Sequence, residues 1–88
     1  MMKIRFKKSF WKYYAKLTSK QRKAVDRAIV IFRKDPFSPK LRNHSLRGKL
    51  SDERSIVAGY DLRIIFREEG GYCLVIMITV GTHDEVYK

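Results

Sequence analysis

Apolar and polar positions along the chain change their period several times, and each change marks an element. Residues 2–7 alternate: Met2, Ile4 and Phe6 fall on one side, and Lys3, Arg5 and Lys7 on the other. A period of two is that of a strand with one wet face. Phe10, Tyr13, Tyr14 and Leu17 then recur at helical spacing, with Ser9 placed to cap them. Thr18-Ser19-Lys20-Gln21 has the form of a capping box opening a second helix. Its apolar stripe is Val25, Ala28, Ile29 and Phe32, at i, i+3, i+4 and i+7. The helix ends before Asp35-Pro36, because proline disfavours helical geometry in the residue before it.

The period of two returns from Arg54 to Arg67. Ile56, Ala58, Tyr60, Leu62, Ile64 and Phe66 form one side, and Val57, Gly59, Asp61, Arg63, Ile65 and Arg67 the other. Gly59-Tyr60-Asp61 divides the stretch into two strands, and Glu69-Gly70-Gly71 is a hairpin turn signal. Tyr72 to Val80 is apolar on both faces, as an interior strand is. The order is β-α-α-β-β-β. It predicts an α+β fold in which two N-terminal helices pack on a small, mainly antiparallel twisted sheet, as one domain over residues 1–88. There is no internal repeat and no low-complexity linker.

Between the helices and the later strands, residues 35–52 keep no period. Pro36, Pro39, Asn43, Gly48 and Asp52 supply turn chemistry there. Residues 40–50 combine the basic Lys40, Arg42, Arg47 and Lys49 with Leu41, Leu46 and Leu50. The leucines anchor this loop in the expected arrangement, while the basic groups and His44 face water or a ligand.

Charge turns this picture toward a polyanion. The 88 residues carry 20 Lys plus Arg against 9 Asp plus Glu, a net +11. Residues 1–50 hold 16 basic and 2 acidic groups, a balance of +14, whereas residues 51–88 hold 4 and 7, a balance of −3. A field of that sign attracts nucleic acid first, then acidic lipid or an acidic protein. The length excludes a separate cofactor module. The one cysteine, Cys73, cannot form an internal disulfide and reads as a small core residue. Two histidines and a lone cysteine lack metal-ligand spacing, so no metal and no cofactor is expected. The longest apolar run is too short to cross a bilayer, and no signal peptide is apparent, so no membrane partner and a cytoplasmic location are expected.

Four groups could carry chemistry: His44, Asp61 with Arg63, His83 and Tyr87. Asp61 and Arg63 are two apart on a strand and share a face, which a surface ion pair would also explain. His83 and Tyr87 are four apart and converge in a helix or an extended tail, which tail packing with Tyr87 as core filler would also explain. There is no nucleophile elbow, phosphate loop or paired carboxylate set. A toolkit of His, Arg, Lys and Tyr suits RNA cleavage, in which the 2′-hydroxyl attacks the adjacent phosphate while one group takes a proton and another gives one.

Two motifs carry a resemblance: Tyr60-x-x-Arg63-Ile64-Ile65-Phe66 and Gly81-Thr82-His83-x-x-x-Tyr87. With the basic N-terminal strand, the helical pair and the loop Asn43-His44-Ser45-Leu46-Arg47-Gly48, they resemble, in order and over essentially the whole chain, the RelE/ParE superfamily of toxins from bacterial toxin–antitoxin pairs. The pattern is most similar to the mRNA interferases of the RelE and YafQ kind, which cut mRNA in the ribosomal A site. The resemblance implies a RelE-like fold and ribosome-dependent endoribonuclease activity that inhibits translation. It implies His83 as general acid or base, Arg63 at the scissile phosphate, Asp61 as an orienting carboxylate, His44 as a second proton-transfer or phosphate group, and Tyr87 as the nucleotide-stacking aromatic. Lys40, Arg42, Arg47, Lys49 and Arg54 would hold RNA. A cognate antitoxin, acidic and encoded adjacently, is the implied protein partner, with mRNA and the ribosome as the others. Two positions depart from the family. Val57 stands where the YafQ pattern has a further histidine, and His83 stands where the RelE pattern has an arginine. The alternatives are a ParE-like gyrase inhibitor without enzymatic activity, and a plain RNA- or ribosome-binding protein.

Overall fold

In the computed structural model, which describes residues 2–48 and 52–87, the chain folds as α+β. Five strands form one sheet in the order β1-β5-β4-β3-β2. They are β1 (Lys3–Phe6), β2 (His44–Ser45), β3 (Arg54–Ala58), β4 (Leu62–Glu69) and β5 (Leu74–Thr82). β1 runs parallel to β5, and every other pairing is antiparallel. The helices are α1 (Lys8–Tyr14), α2 (Ser19–Lys34) and α3 (His83–Val86), and a 3-10 turn covers Pro39–Leu41. β2 and α3 are additions to the expected order; the rest of the β-α-α-β-β-β reading stands.

One face of the sheet is dry. α1 packs on β5, and α2 packs across β3 and β4. Phe10, Val25, Ala28 and Phe32 meet Ile56, Ala58, Leu62, Ile64, Phe66, Val75, Met77 and Val80, all buried. The predicted stripe of α2 is therefore the buried one, with Ile29 at its margin. The predicted capping box is also formed. The Thr18 hydroxyl accepts from the Gln21 amide at 3.1 Å, and the Gln21 side chain accepts from the Thr18 amide at 2.9 Å. The helix stops at Lys34, and Asp35 is extended before Pro36.

Two expectations are corrected. Ser9 does not cap α1; Lys7 holds that position. The Ser9 hydroxyl donates instead to the Ile78 carbonyl. Ile65 pairs with Thr79 and Phe66 with Met77, so Ile78 is the bulged residue of β5, and its carbonyl needs a donor from outside the ladder.

Cys73 is exposed rather than in the core. Gly70, Gly71 and Tyr72 take φ of +63°, +63° and +71°, so the turn runs on past the two glycines and the strand starts only at Leu74. The Tyr72 ring nevertheless reaches the core, lying against Phe32 and Phe66.

Tyr60 is fully exposed, in the expected break between two strands. With Gly59 and Asp61 it forms the loop between Ala58 and Leu62, which pair directly. Gly59 has φ +76°, and a Cβ on it would lie 3.1 Å from the Ala24 Cβ of α2. Glycine thus provides both the reversal and the close approach of the helix.

Candidate active site

The open face of the sheet carries the polar groups. Partners in adjacent strands project to the same face, so two rows can be read across it. One is Val57, Arg63 and Gly81, and the other is His44, Ser55, Ile65 and Thr79. Above the end of these rows sits α3. Thr82 and Glu85 form a second capping box, with contacts of 3.3 Å and 2.8 Å, which turns the chain out of β5 straight into the helix. A Cβ on Gly81 would stand 3.1 Å from the Glu85 carboxylate and 3.4 Å from the Val86 side chain. Glycine here lets α3 fold back closely on the strand end; a side chain would push Glu85 and Val86 by a few tenths of an ångström.

The result is a depression of about 350 Å³ lined by Arg42, His44, Val57, Arg63, His83 and Tyr87. Four of the five expected chemical groups therefore converge from β2, β4 and the tail. His44 is exposed, and its Nδ1 lies 2.8 Å from the Arg42 carbonyl. A carbonyl only accepts, so Nδ1 carries the proton in that contact, and Nε2 presents a lone pair when the ring is neutral. Arg63 is half-buried, and its Nη1 donates to the Leu62 carbonyl at 3.0 Å. Among the described residues no carboxylate is within salt-bridge distance of it. The remaining guanidinium donors can take an anion. His83 is exposed, with Nδ1 at 3.6 Å from the Asp84 carboxylate. Its ring meets the Tyr87 ring edge-on at 4.5 Å.

Tyr87 is tied down at both ends. Its amide donates to the His83 carbonyl at 3.2 Å, and its hydroxyl donates to the Ser55 hydroxyl at 2.8 Å. Ser55 is completely buried although it lies on the open face of the sheet. Tyr87 thus braces the His83 ring against the sheet, and its hydroxyl is already engaged. The tail therefore packs on the sheet through Tyr87 and also brings this ring against His83.

The structure does not bring Asp61 to this depression. The expectation that it shares a strand face with Arg63 fails because the strand begins one residue later, at Leu62. Asp61 sits in the exposed turn and lines a different hollow, beside Lys20, Gln21 and Ala24 of α2. Among the expected RNA-holding residues, Arg42 lines the depression from a left-handed backbone position, φ +50°. Arg54 is half-buried, and its Nε donates to the Asn43 side-chain oxygen at 2.8 Å. The Asn43 amide in turn reaches the Pro36 carbonyl and the Tyr72 hydroxyl, each at 3.0 Å. Arg54 therefore pins the loop rather than standing free. Lys40 is exposed in the 3-10 turn, beside Leu41 and Ile31, and Arg47 is exposed. Lys49 lies outside the described residues.

Residues 2–88 match the family model described as bacterial toxin of type II toxin–antitoxin system, YafQ. The chain belongs to the YafQ toxin family. It is therefore a toxin of the type II toxin–antitoxin kind, as the resemblance in the strand and tail motifs implied. Comparison with curated proteins gives no match. Among solved structures, a copper-bound mutant toxin from Helicobacter pylori is 26% identical, with a TM-score of 0.79 over 99% of this chain and 100% of that one. YafQ from Escherichia coli strain BL21(DE3) is 16% identical, with a TM-score of 0.79 over 100% of both chains. The E. coli DinJ–YafQ toxin–antitoxin complex is 17% identical, with a TM-score of 0.76 over 99% of this chain and 98% of that one. At such identities the last two report the fold alone.

Ser55 and the backbone of Arg42 are the parts of this YafQ-family cleft that residue spacing did not suggest. Ser55 sits in an alternating strand, on the side opposite Ile56, where a small hydroxyl looks like ordinary surface. Its hydrogen-bond partner, Tyr87, is 32 residues away in the sequence. Among the described residues no group of three or more His, Cys, Asp or Glu side chains clusters as a metal site, and no helix is long and apolar enough to cross a membrane.

Proposed function

We propose that this toxin is an endoribonuclease that cuts mRNA on the ribosome, using the depression between β2, β4 and α3. The observation that supports the reading is the convergence of His44, Arg63 and His83 on one open, cationic hollow. A 2′-hydroxyl beside His44 gives its proton to Nε2, the lone-pair nitrogen left by the Arg42 carbonyl contact. Its oxygen bonds to the adjacent phosphorus. Arg63 stabilises the charge that gathers on the equatorial oxygens. His83 protonates the departing 5′-oxygen as the P–O5′ bond breaks, leaving a 2′,3′-cyclic phosphate and a 5′-hydroxyl. Tyr87 positions His83, and Arg42 adds a cation at the rim. Asp61 has no step in this scheme; its place in the turn suits it to the α2 side of the molecule. Arg47 and Lys40 lie outside the hollow and would hold phosphates further along the RNA, with an affinity that falls as salt rises.

The inferred protein partner is a cognate antitoxin. The family's definition as a toxin of a type II pair supports it, and so do the antitoxin complexes of the E. coli relative and of RelBE2 from Mycobacterium tuberculosis. A net charge of +11 makes an acidic segment the natural binder.

A translating extract tests the activity. The wild-type protein should cut mRNA only when ribosomes are present, leaving cyclic phosphate ends, and His83→Ala should leave the mRNA whole. Intact mRNA with the wild-type protein would overturn the reading, and inhibition of gyrase supercoiling without RNA cuts would replace it with the ParE-like alternative.

A further inference from the structure

A second hollow, of about 440 Å³, lies across the end of β5 from the cleft. Its walls include Tyr13 and Lys16 at the end of α1, Leu17 and Val80 at the base, and Thr82 and Glu85 opposite. Gly81 lines it as well, and Gly81 is the strand partner of Arg63 in the cleft. One strand end, without a side chain at that point, therefore separates the two hollows.

Tyr13 differs from its aromatic neighbours. Phe10, Trp11 and Tyr14 pack on one another at centroid distances of 5.1–5.8 Å. Among the described residues no ring packs on Tyr13, which is 40% exposed. Two ammonium groups stand over it instead, Lys12 Nζ at 5.7 Å and Lys16 Nζ at 5.2 Å from the ring centroid. Residues 1–25 carry nine basic groups and no acidic one. An exposed aromatic face flanked by flexible cations is the arrangement that holds single-stranded nucleic acid, the ring stacking a base and the cations meeting its phosphate.

We propose that this hollow is a subsite for a nucleotide flanking the scissile one, with the base stacked on Tyr13 and its phosphate held by Lys12 and Lys16. Glu85 sets the orientation. Its carboxylate accepts from the Thr82 amide at 2.8 Å and repels phosphate, so the phosphate lies at the lysine end and the base edge toward α3. The proposal rests on RNA being the substrate of the cleft, and it extends that reading to a strand bent over the sheet end.

Binding of 2′-O-methyl oligoribonucleotides, which cannot be cut, tests it by fluorescence anisotropy. A hexanucleotide should bind Tyr13→Ala about 5- to 100-fold more weakly than the wild type, and Tyr13→Phe within about twofold of it. Lys16→Gln should lower the slope of log affinity against log salt by about one. A dinucleotide, long enough only for the cleft, should bind all of them alike. Equal hexanucleotide binding by wild type and Tyr13→Ala would overturn the subsite, as would an equal loss for dinucleotide and hexanucleotide, since that marks a structural effect. A loss of the same size with poly-L-glutamate would also overturn it, in favour of an acidic peptide. These readouts need no catalysis, so a Tyr13-dependent hexanucleotide affinity in a protein that cuts no mRNA would sink the cleavage reading and leave the subsite standing.

Discussion

The two faces of the sheet are built from the same strands but hold opposite kinds of residue. On the covered face Ile56, Ile64, Phe66, Met77 and Val80 are buried in one apolar cluster with residues of the helices, as in Phe32 on Phe66 at 5.0 Å. On the open face Ile65 is buried, but Arg63, His44 and His83 keep donors and acceptors turned to solvent. Apolar burial is concentrated on the covered face, and the polar groups of the candidate site on the open one. Burial on one face holds the strands in register, and that register carries polar groups into one hollow on the other. A four-residue helix could not hold His83 in place unaided, because isolated short helices are unstable in water. It is held by its capping box and by Tyr87 on Ser55, both anchored to strands that the covered face secures.

The comparison breaks most sharply if each face is damaged separately. His44→Ala or His83→Ala should lower single-turnover RNA cleavage by about 10²- to 10⁴-fold, the usual worth of a proton-transfer group. Thermal melting should barely move, because both side chains are exposed. Phe32→Ala should do the reverse. It removes a fully buried ring and should cost about 3–5 kcal/mol, read as a shift of the urea midpoint. A chain of 88 residues has about 4–13 kcal/mol to lose, so this is a large fraction of its stability, while the molecules that stay folded should keep their cleavage rate. A folded Phe32→Ala variant with impaired cleavage, or a destabilised His83→Ala variant, would show that the two faces are not separable.

What could be read from the residues divides along the same line. The covered face follows from periodicity, because burial repeats every second or every third to fourth residue, and Val25, Ala28, Phe32, Ile56, Ile64 and Phe66 obey it. The groups of the cleft were legible as residue types: His44, Arg63, His83 and Tyr87 do meet. Asp61 was misplaced because a strand boundary one residue off moves a side chain into the turn, and alternation alone does not mark where a hairpin begins. β2 is two residues long, below the length at which any period can be recognised, and beside it Arg54 donates to Asn43. Cys73 was misplaced because apolarity continues from the turn into the strand, whereas backbone conformation does not.

Ser55 belongs to both faces and tests how they connect. It is buried like the core, yet its partner is the Tyr87 phenol of the cleft. Ser55→Ala leaves Tyr87, which is half-buried, able to turn to water, so the stability loss should be modest, about 1 kcal/mol. Cleavage should fall about tenfold, because the ring that braces His83 loses its tether. Ser55→Thr, which keeps the hydroxyl, should restore most of it. An activity loss no larger than the stability loss explains would remove Ser55 from the positioning of His83.

The smallest effect expected is on the covered side, at its rim. The Tyr14 hydroxyl on α1 donates to the Asp26 carboxylate on α2 at 2.7 Å, tying the two helices together in water. That hydrogen bond, then burial and the charge of Asp26, hold the phenol above its ordinary value of 10.0, against the opposing charge of Arg22. Because the folded form keeps its proton longer than the unfolded form, the contribution is fully present below pH 10 and fades as pH rises from there through the folded value. Its size is small, about 0.5 kcal/mol, since the pair is exposed and solvent screens it. Tyr14→Phe should therefore be slightly less stable than the wild type at pH 8, and the gap should close at strongly alkaline pH. Urea titrations of the two proteins side by side measure the gap directly. A gap independent of pH would mean that the helices are joined by their apolar contacts alone, and that the covered face owes nothing to polar pairing even where it meets water.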